Sequence, residues 1–205
     1  MVKVSRAQAA QNREAITAAA GKLFRERGVD GVGVLEIGRA AGLTQGALYS
    51  HFDSKEMLVA EALREGFEGS LGRMRHALGD EPSFTQLLDF HLDELARDSK
   101  ATGCPMVASA SEAERYGLAA SERFAEGFSS NVQALEAALG RAGSDHSQDE
   151  SLAAMVAIVG AVAMSRGLRR SQPELANKVL TAMRDMLSRI EPQARAKTKT
   201  KTKSG

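Results

Sequence analysis

The sequence predicts an all-α protein in which an N-terminal three-helix helix-turn-helix domain precedes a larger helical domain. Ala, Leu, Glu and Arg are abundant, only 4% of the residues are aromatic and Trp is absent, a composition that favours helix bundles over β-sandwiches. Apolar residues recur at helical spacing between breaks that contain Gly or Pro, and no stretch alternates as a strand does. We expect the helix-turn-helix domain over 1–54, the larger domain over 55–192 and a disordered basic tail over 193–205.

The first predicted helix spans 10–27 and ends at Gly28. Its apolar residues share one face, and they are Ile16, Ala19, Ala20, Leu23 and Phe24. Glycine is a typical residue at a helix end because it adopts a left-handed backbone without steric cost.

Two short helices joined by a tight turn follow. The second helix, predicted over 34–41, stops at Gly42, and Thr44 stands at the N-cap position of a third helix over 45–50. The Thr44 side-chain oxygen is able to accept from the free backbone N–H groups of that helix. This arrangement is a helix-turn-helix.

The third helix has an unusual surface for an element that only packs. Leu48 and Phe52 face inward, whereas the other positions carry small or hydrogen-bonding groups, which are Thr44, Gln45, Gly46, Ala47, Tyr49 and His51. Such a face suits a major groove, where glutamine pairs with adenine N6 and N7 and small residues permit close approach. Tyr49, His51 and Lys55 suit phosphates better. The alternative, a solvated polar helix with no nucleic-acid role, stays open.

The motifs of this region together resemble the DNA-binding domain of the TetR family of bacterial transcription regulators. The resemblance rests on the Phe24-x-x-x-Gly28 exit from the first helix, on Ile37 with Ala40 and Gly42, and on the run LYSHFDSKEML over 48–58. It implies that Gln45, Gly46 and Ala47 face bases, that Tyr49 and His51 hold phosphates, and that Lys55 touches the DNA backbone.

One position departs from the family pattern. The family usually has Ser or Thr at the start of the second helix, where this chain has Gly33 followed by Val34. Glycine is a tolerable N-cap, so we expect the helix to form without the phosphate contact of a hydroxyl. Arg39, Arg6 and Arg13 are candidates for a compensating charge, or are solvated surface side chains.

Charge is distributed unevenly along the chain. Residues 1–64 carry nine Lys or Arg against seven Asp or Glu, residues 65–192 carry thirteen against nineteen, and residues 193–205 carry five against none. A basic head on an acidic body is typical of a DNA-binding regulator. The basic tail is predicted to be a solubilising extension or a nonspecific DNA contact.

The N-terminus lacks the apolar core of a secretory signal, and the most apolar run, 152–164, is shorter than a bilayer requires. We therefore expect a cytoplasmic protein without membrane contact.

The larger domain is predicted to contain six helices. They span 55–78, 84–99, 105–115, 118–140, 149–169 and 173–190. The helix over 149–169 is apolar nearly all round and must be covered on every side, either by a second subunit or as the central helix of a monomer. The family resemblance implies a homodimer through the last two long helices, and a dimer fits a palindromic operator on double-stranded DNA.

The resemblance also implies that the larger domain binds an effector. The candidates for an apolar pocket are Phe84, Leu88, His91, Met106, Tyr116, Phe124 and Phe128, although each is also an ordinary core residue by its spacing. The four histidines show no metal-type spacing, and we expect no metal and no cofactor.

Cys104 is a candidate sensor of electrophiles or oxidants. It lies between Gly103 and Pro105, where Pro suits the first position of a helix, so the thiol is expected at a helix N-terminus that favours thiolate. The segment is also similar to that of regulators in this family that respond through a cysteine. The alternative is a plain buried cysteine.

The resemblance implies a transcription regulator, which in this family is most often a repressor, and its release from DNA by a small molecule or by an electrophile or oxidant. An architectural DNA-binding protein without an effector is the alternative. No catalytic motif pairs a nucleophile with a base, so an enzyme is not expected.

Overall fold

The computed structural model describes residues 5–99 and 103–192; the expectations for the tail over 193–205 lie outside this part. Ten α-helices and one 3-10 helix make up the described chain, and no strand occurs there, so the all-α prediction is confirmed. The α-helices are α1 Arg6–Arg27, α2 Val34–Ala40, α3 Gln45–Tyr49, α4 Lys55–Leu78, α5 Phe84–His91, α6 Glu94–Asp98, α7 Pro105–Ser109, α8 Gly117–Ala142, α9 Ser147–Leu168 and α10 Pro173–Leu187. The 3-10 helix is Ala113–Tyr116.

Local capping explains the helices of the N-terminal domain. Ser5 starts α1 earlier than expected because its hydroxyl accepts from the Gln8 N–H at 3.1 Å. Gly28 and Gly42 follow α1 and α2 with φ of 75° and 70°, a region that L side chains rarely adopt. The predicted order of three helices with glycine-containing turns is confirmed.

Two predicted helices of the larger domain are each divided in two. The expected helix over 84–99 is wrong because Asp93 adopts an extended backbone and its carboxylate accepts from the Ala96 N–H at 3.2 Å, which starts a new helix. The expected helix over 105–115 is also wrong, since α7 ends at Ser109 and the 3-10 helix follows.

The core lies between long helices of the larger domain. α8 packs against α4 on one side and α9 on the other, and α10 packs on α9, while α1 packs against α4. Phe67 of α4 lies so close to Gly127 of α8 that a Cβ at that glycine would be 2.2 Å from the ring. α4 therefore belongs to both domains, because it starts beside the helix-turn-helix and ends in the core of the larger domain.

α9 is longer than its most apolar run. It has 22 residues, and by length and composition alone it passes as a possible membrane span, so the expectation drawn from 152–164 rested on too short a segment. One side of α9 is buried against α8 and α10, including Ser151 and Ser165, both fully buried. The opposite side, with Leu152, Val156 and Met164, is exposed in the single chain.

Candidate nucleic-acid interface

α3 has an exposed polar edge, formed by Thr44, Gln45, Gly46 and Tyr49, and an apolar side that packs in the core. Leu48 and Phe52 are 2% and 3% exposed, which anchors the helix in the core of the N-terminal domain. The Thr44 hydroxyl oxygen accepts from the Ala47 N–H at 3.2 Å, as predicted for an N-cap. Thr44, Gln45 and Gly46 are exposed, and Tyr49 is 48% exposed. The edge expected to face bases is thus open to solvent.

Gly46 leaves room for close approach of another molecule. A Cβ built at this glycine meets nothing within 4 Å, and Ala47 beside it is half-buried. Nothing inside the chain therefore requires a glycine at Gly46, since its backbone is helical. The surface that it leaves suits a partner that comes within contact distance of the helix backbone.

Arg13 has a structural role rather than that of a free compensating charge. Its Nη1 donates to the His51 carbonyl oxygen at 2.8 Å, and its guanidinium lies 4.2 Å from the centroid of the Phe52 ring. Nη2 also lies 3.7 Å from a carboxylate oxygen of Glu61. Arg13 on α1 thus fixes the turn that leads from α3 to α4.

Lys55 is engaged within the N-terminal domain. Its Nζ donates to the Val29 carbonyl oxygen at 2.8 Å, which ties the start of α4 to the turn after α1. An ammonium has three donors, so the contact with Val29 leaves others for a phosphate. The phosphate contact of Lys55 stays a prediction.

The start of α2 lacks a side-chain cap, as the sequence indicates. Gly33 makes no side-chain cap, and a Cβ there would meet nothing within 4 Å. Glu36 in the first turn pairs with Arg27, while Arg39 is exposed near the end of the helix. Of the three arginines considered for a compensating charge, Arg39 and Arg6 are exposed.

The larger domain makes hydrogen bonds to the turn between α1 and α2. The Tyr116 hydroxyl donates to Oδ1 of Asp30 at 2.6 Å, and the Val29 N–H donates to Oε2 of Glu112 at 3.4 Å. Burial, and then the hydrogen bond with Asp30, raise the pKa of the Tyr116 hydroxyl. Sequence reasoning missed this contact, because Asp30 and Tyr116 are 86 positions apart and neither belongs to a motif.

The seven residues predicted to line an effector pocket are not gathered around one cavity. Phe84, Leu88 and Met106 are at most 1% exposed and belong to the core. Phe124 meets Phe67 edge to face at 6.1 Å between ring centroids, and Phe128 also packs on the core. Tyr116 lines a narrow cavity of about 30 Å³ beside α1 and α7.

His91 lines a different and larger cavity, of about 230 Å³, which Cys104 also lines. Desolvation on burial lowers the pKa of His91 to about 4, so its imidazole is neutral at pH 7. Sequence reasoning missed the two arginines on the same wall, Arg73 and Arg166, which come from distant helices.

Cys104 lies at the predicted helix start, but its thiol pKa is raised and not lowered. It is the N-cap of α7, and Pro105 is the first helical residue. Burial raises the pKa of the thiol, although backbone N–H groups of Met106 and Val107 and the charge of Arg166 oppose that rise. The expectation that the helix N-terminus lowers the thiol pKa is therefore wrong, because desolvation is the larger effect.

No metal site was found in the described chain. Within residues 5–99 and 103–192, no three side chains of the types His, Cys, Asp and Glu come together as a metal would require.

Two family models match the chain in the order in which its domains occur. Residues 16–62 match the model described as bacterial regulatory proteins of the tetR family. Residues 82–177 match the model of the C-terminal domain of LmrA/YxaF-like transcriptional regulators. The first match includes α2, α3 and the turn between them, and the second includes the helices that line the 230 Å³ cavity from α5 onward.

Curated relatives are similar to part of this chain. It is 37% identical over 71 residues to the HTH-type transcriptional repressor KstR2 of Mycolicibacterium smegmatis, which is 35% of each chain. It is 49% identical over 51 residues to the HTH-type transcriptional repressor BepR of Brucella suis, which is 25% of this chain and 24% of that protein. The matches thus span about a third or less of these curated relatives.

Solved structures share the fold over nearly the whole chain. The reduced form of E. coli NemR has a TM-score of 0.75 at 20% identity, covering 90% of this chain and 99% of that one. A TetR-family regulator from Cytophaga hutchinsonii has a TM-score of 0.76 at 16% identity, covering 94% and 100%. With its helix-turn-helix head and its helical body both matched, this chain belongs to the tetR family of bacterial regulatory proteins.

Proposed function

We propose that this protein is a cytoplasmic, homodimeric transcriptional repressor that binds a roughly palindromic operator and is released when an effector acts on the larger domain. The observation that carries the proposal is the exposed edge of α3, held rigid by its Thr44 cap and by the buried Leu48 and Phe52. Relatives that are similar to part of this chain are named repressors. A rigid helix with a polar edge is what direct reading of bases requires.

In this proposal the residues of α3 divide by the chemistry of their contacts. Gln45 pairs with a base, and Gly46 and Ala47 let the helix approach the groove floor. Tyr49, His51 and Lys55 contact phosphates, which fixes position rather than sequence. Thr44 has its oxygen engaged as the cap acceptor, so its hydroxyl proton is available for a phosphate.

The dimer is supported by apolar faces that the single chain leaves exposed. On α10 they follow the spacing of a helix–helix seam, with Leu175, Val179, Ala182 and Met186 at exposed or half-buried positions. On α9, Val156 is 63% exposed, and a Cβ at Gly160 would meet nothing within 4 Å. Pairing α9 and α10 with a second copy covers these faces as a four-helix bundle.

The release step is supported by the contacts between the two domains. Tyr116 and Glu112 of the larger domain hold the turn that carries Val29 and Asp30. An effector that moves the 3-10 helix or α4 changes the spacing of the two heads, and DNA affinity changes by the coupling free energy. Cys104, at the start of α7, has a thiol pKa raised by burial, which disfavours electrophile modification as a second way to the same movement.

Selection from randomised duplexes tests the proposal, with the affinity of the selected site then measured by fluorescence anisotropy. We expect a motif of two inverted half-sites about one helical turn apart, and an affinity that falls steeply with salt. An architectural protein predicts binding without a motif. Failure to bind duplex at low ionic strength contradicts both.

A further inference from the structure

The cavity of about 230 Å³ in the larger domain has a wall of unusual chemistry. It lies among α4, α5, α6, α9 and the start of α7, and its polar wall contains Ser70, Arg73, His91, Ser99, Cys104 and Arg166. Its apolar part includes Phe90 and Val162. Its size is below that of a typical pocket for a drug-sized molecule, which indicates a smaller ligand.

Arg166 has a buried hydrogen-bonding group without a partner. Its Nε donates to the Arg97 carbonyl oxygen at 2.9 Å, which holds the guanidinium in place. Its Nη2 is buried and has no hydrogen-bond partner among the described residues. A buried donor without a partner is costly, and a cationic one more so, because the water that it loses is not replaced.

The charged side chains in the described wall of this cavity are cationic. None of the described residues that line it is Asp or Glu, whereas two of them are arginines. The carboxylate of Asp98 near Arg166 is engaged by Arg97 at 2.7 Å and by Arg169 at 3.3 Å. His91 adds no charge, because burial keeps its imidazole neutral at pH 7. The positive charge in the described wall is therefore carried by guanidinium groups.

We propose that this cavity binds a small organic carboxylate, with the carboxylate against Arg166 and a short apolar body against Phe90 and Val162. Guanidinium groups match a carboxylate by paired charge-assisted hydrogen bonds. The apolar wall favours an organic anion over inorganic phosphate. This cavity differs from the apolar pocket that the sequence indicated. A role of the carboxylate in regulation, though not its binding, rests on the proposed function.

The same residues connect the cavity to the DNA-binding head. Gly103 and Cys104 precede α7. A Cβ at Gly103 would be 2.5 Å from Nη2 of Arg166, so the guanidinium packs closely against the backbone at Gly103. α7 leads on to Glu112 and Tyr116, which hold the turn of Val29 and Asp30. A carboxylate that draws Arg166 toward itself thus acts on the segment that positions the head.

Calorimetry and thermal shift on the full chain test the binding with butanoate, hexanoate, octanoate and benzoate. The matching primary amides and inorganic phosphate serve as uncharged and non-apolar controls. We expect at least one carboxylate to bind saturably and to raise the Tm. Its amide is expected to bind at least about tenfold more weakly, because charged hydrogen bonds are lost. Phosphate binding as tight as that of the best carboxylate, or no carboxylate binding, overturns the proposal.

Variants locate the site. Arg166→Gln removes the cation, and Arg169→Gln is its matched control because Arg169 follows three residues later at the end of α9 and does not line the cavity. Ala96→Phe fills the cavity at a half-buried wall position and keeps both arginines. We expect binding to be lost in Arg166→Gln and Ala96→Phe and kept in Arg169→Gln. Unchanged binding in folded Ala96→Phe contradicts the site even if Arg166→Gln fails to fold.

Operator binding is measured separately, so the two proposals fail independently. Carboxylate binding with no DNA binding by the protein keeps the site and contradicts the repressor. Carboxylate binding that leaves operator affinity unchanged keeps the site and contradicts its role in release. DNA binding in the absence of carboxylate binding leaves the repressor and contradicts the site.

Discussion

The Tyr116 hydroxyl donates a 2.6 Å hydrogen bond to Oδ1 of Asp30 and joins the larger domain to the turn between α1 and α2. Asp30 follows Val29, whose N–H donates to Glu112 and whose carbonyl oxygen accepts from Lys55 at 2.8 Å. The turn is therefore held both by the larger domain and by the start of α4. Because both elements contact this turn, we expect it to couple effector binding in the larger domain to DNA binding.

Tyr116→Phe removes the hydrogen bond between the domains and keeps the ring. We expect the free energy of unfolding to fall by about 1 to 2 kcal/mol, since the Asp30 carboxylate loses a donor. We also expect an effector to release less DNA, because the coupling between domains is weakened. Urea unfolding and anisotropy titrations measure the two effects. Full coupling in a Tyr116→Phe protein contradicts the role of this contact.

Arg13→Met removes the cation that fixes the turn from α3 to α4. We expect a loss of about 1 to 2 kcal/mol in the free energy of unfolding, from the hydrogen bond to the His51 carbonyl and the contact with the Phe52 ring. Arg6→Met, at an exposed position of α1, is the matched control and is expected to change stability by less than about 0.5 kcal/mol. Equal losses in the two variants contradict the structural role of Arg13.

Stability is expected to depend on the protonation of His91. Its pKa is about 4 in the fold against an ordinary 6.5, so the neutral form is favoured by folding. Its contribution is therefore fully present above pH 6.5 and is lost as the pH falls toward 4, with an upper limit of about 3 kcal/mol. Desolvation on burial is the cause of the lowered pKa.

Urea unfolding between pH 7 and 4 checks this pH dependence. The wild-type protein is expected to lose more stability over this interval than His91→Gln, which has no imidazole to protonate. Carboxylates elsewhere titrate equally in both proteins, so the difference isolates His91. Parallel pH profiles contradict the assignment.

Val156→Arg is expected to disrupt the dimer. Val156 is 63% exposed on α9, and an arginine there places a charge in the middle of the proposed apolar seam. Leu118→Arg is the matched control because Leu118 is 75% exposed on α8. Light scattering is expected to give the mass of a monomer for Val156→Arg and of a dimer for Leu118→Arg. A dimer in both cases places the interface elsewhere.

The features that sequence could predict are those set by neighbouring residues. Gly28, Gly42 and Thr44 end or begin helices through their own backbone preference or side chain, so their roles follow from spacing. The break at Asp93 was missed because its segment keeps helical spacing of apolar residues, and an N-cap inside such a pattern is not distinctive. Local chemistry thus predicted the helix-turn-helix better than the divided helices of the larger domain.

The features that sequence missed join residues far apart in the chain. Arg166 meets the carbonyl of Arg97, and Tyr116 meets Asp30, across separations of 69 and 86 positions. These pairs exist only once α9 packs beside α6 and once the 3-10 helix lies against the first turn of the head. The spacing of residues within one helix does not predict which arginine is buried in the fold, as Arg97 is.

The measurement that tests the central claim most directly is the set of sequences selected by Gln45→Ala, compared with those selected by the wild-type protein. The account predicts that the variant loses preference at one position in each half-site, by about 1 to 3 kcal/mol, and keeps the others. Lys55→Ala is the control, expected to weaken all sequences alike and to reduce the salt dependence. An unchanged motif for Gln45→Ala would contradict the claim that the exposed edge of α3 reads the operator.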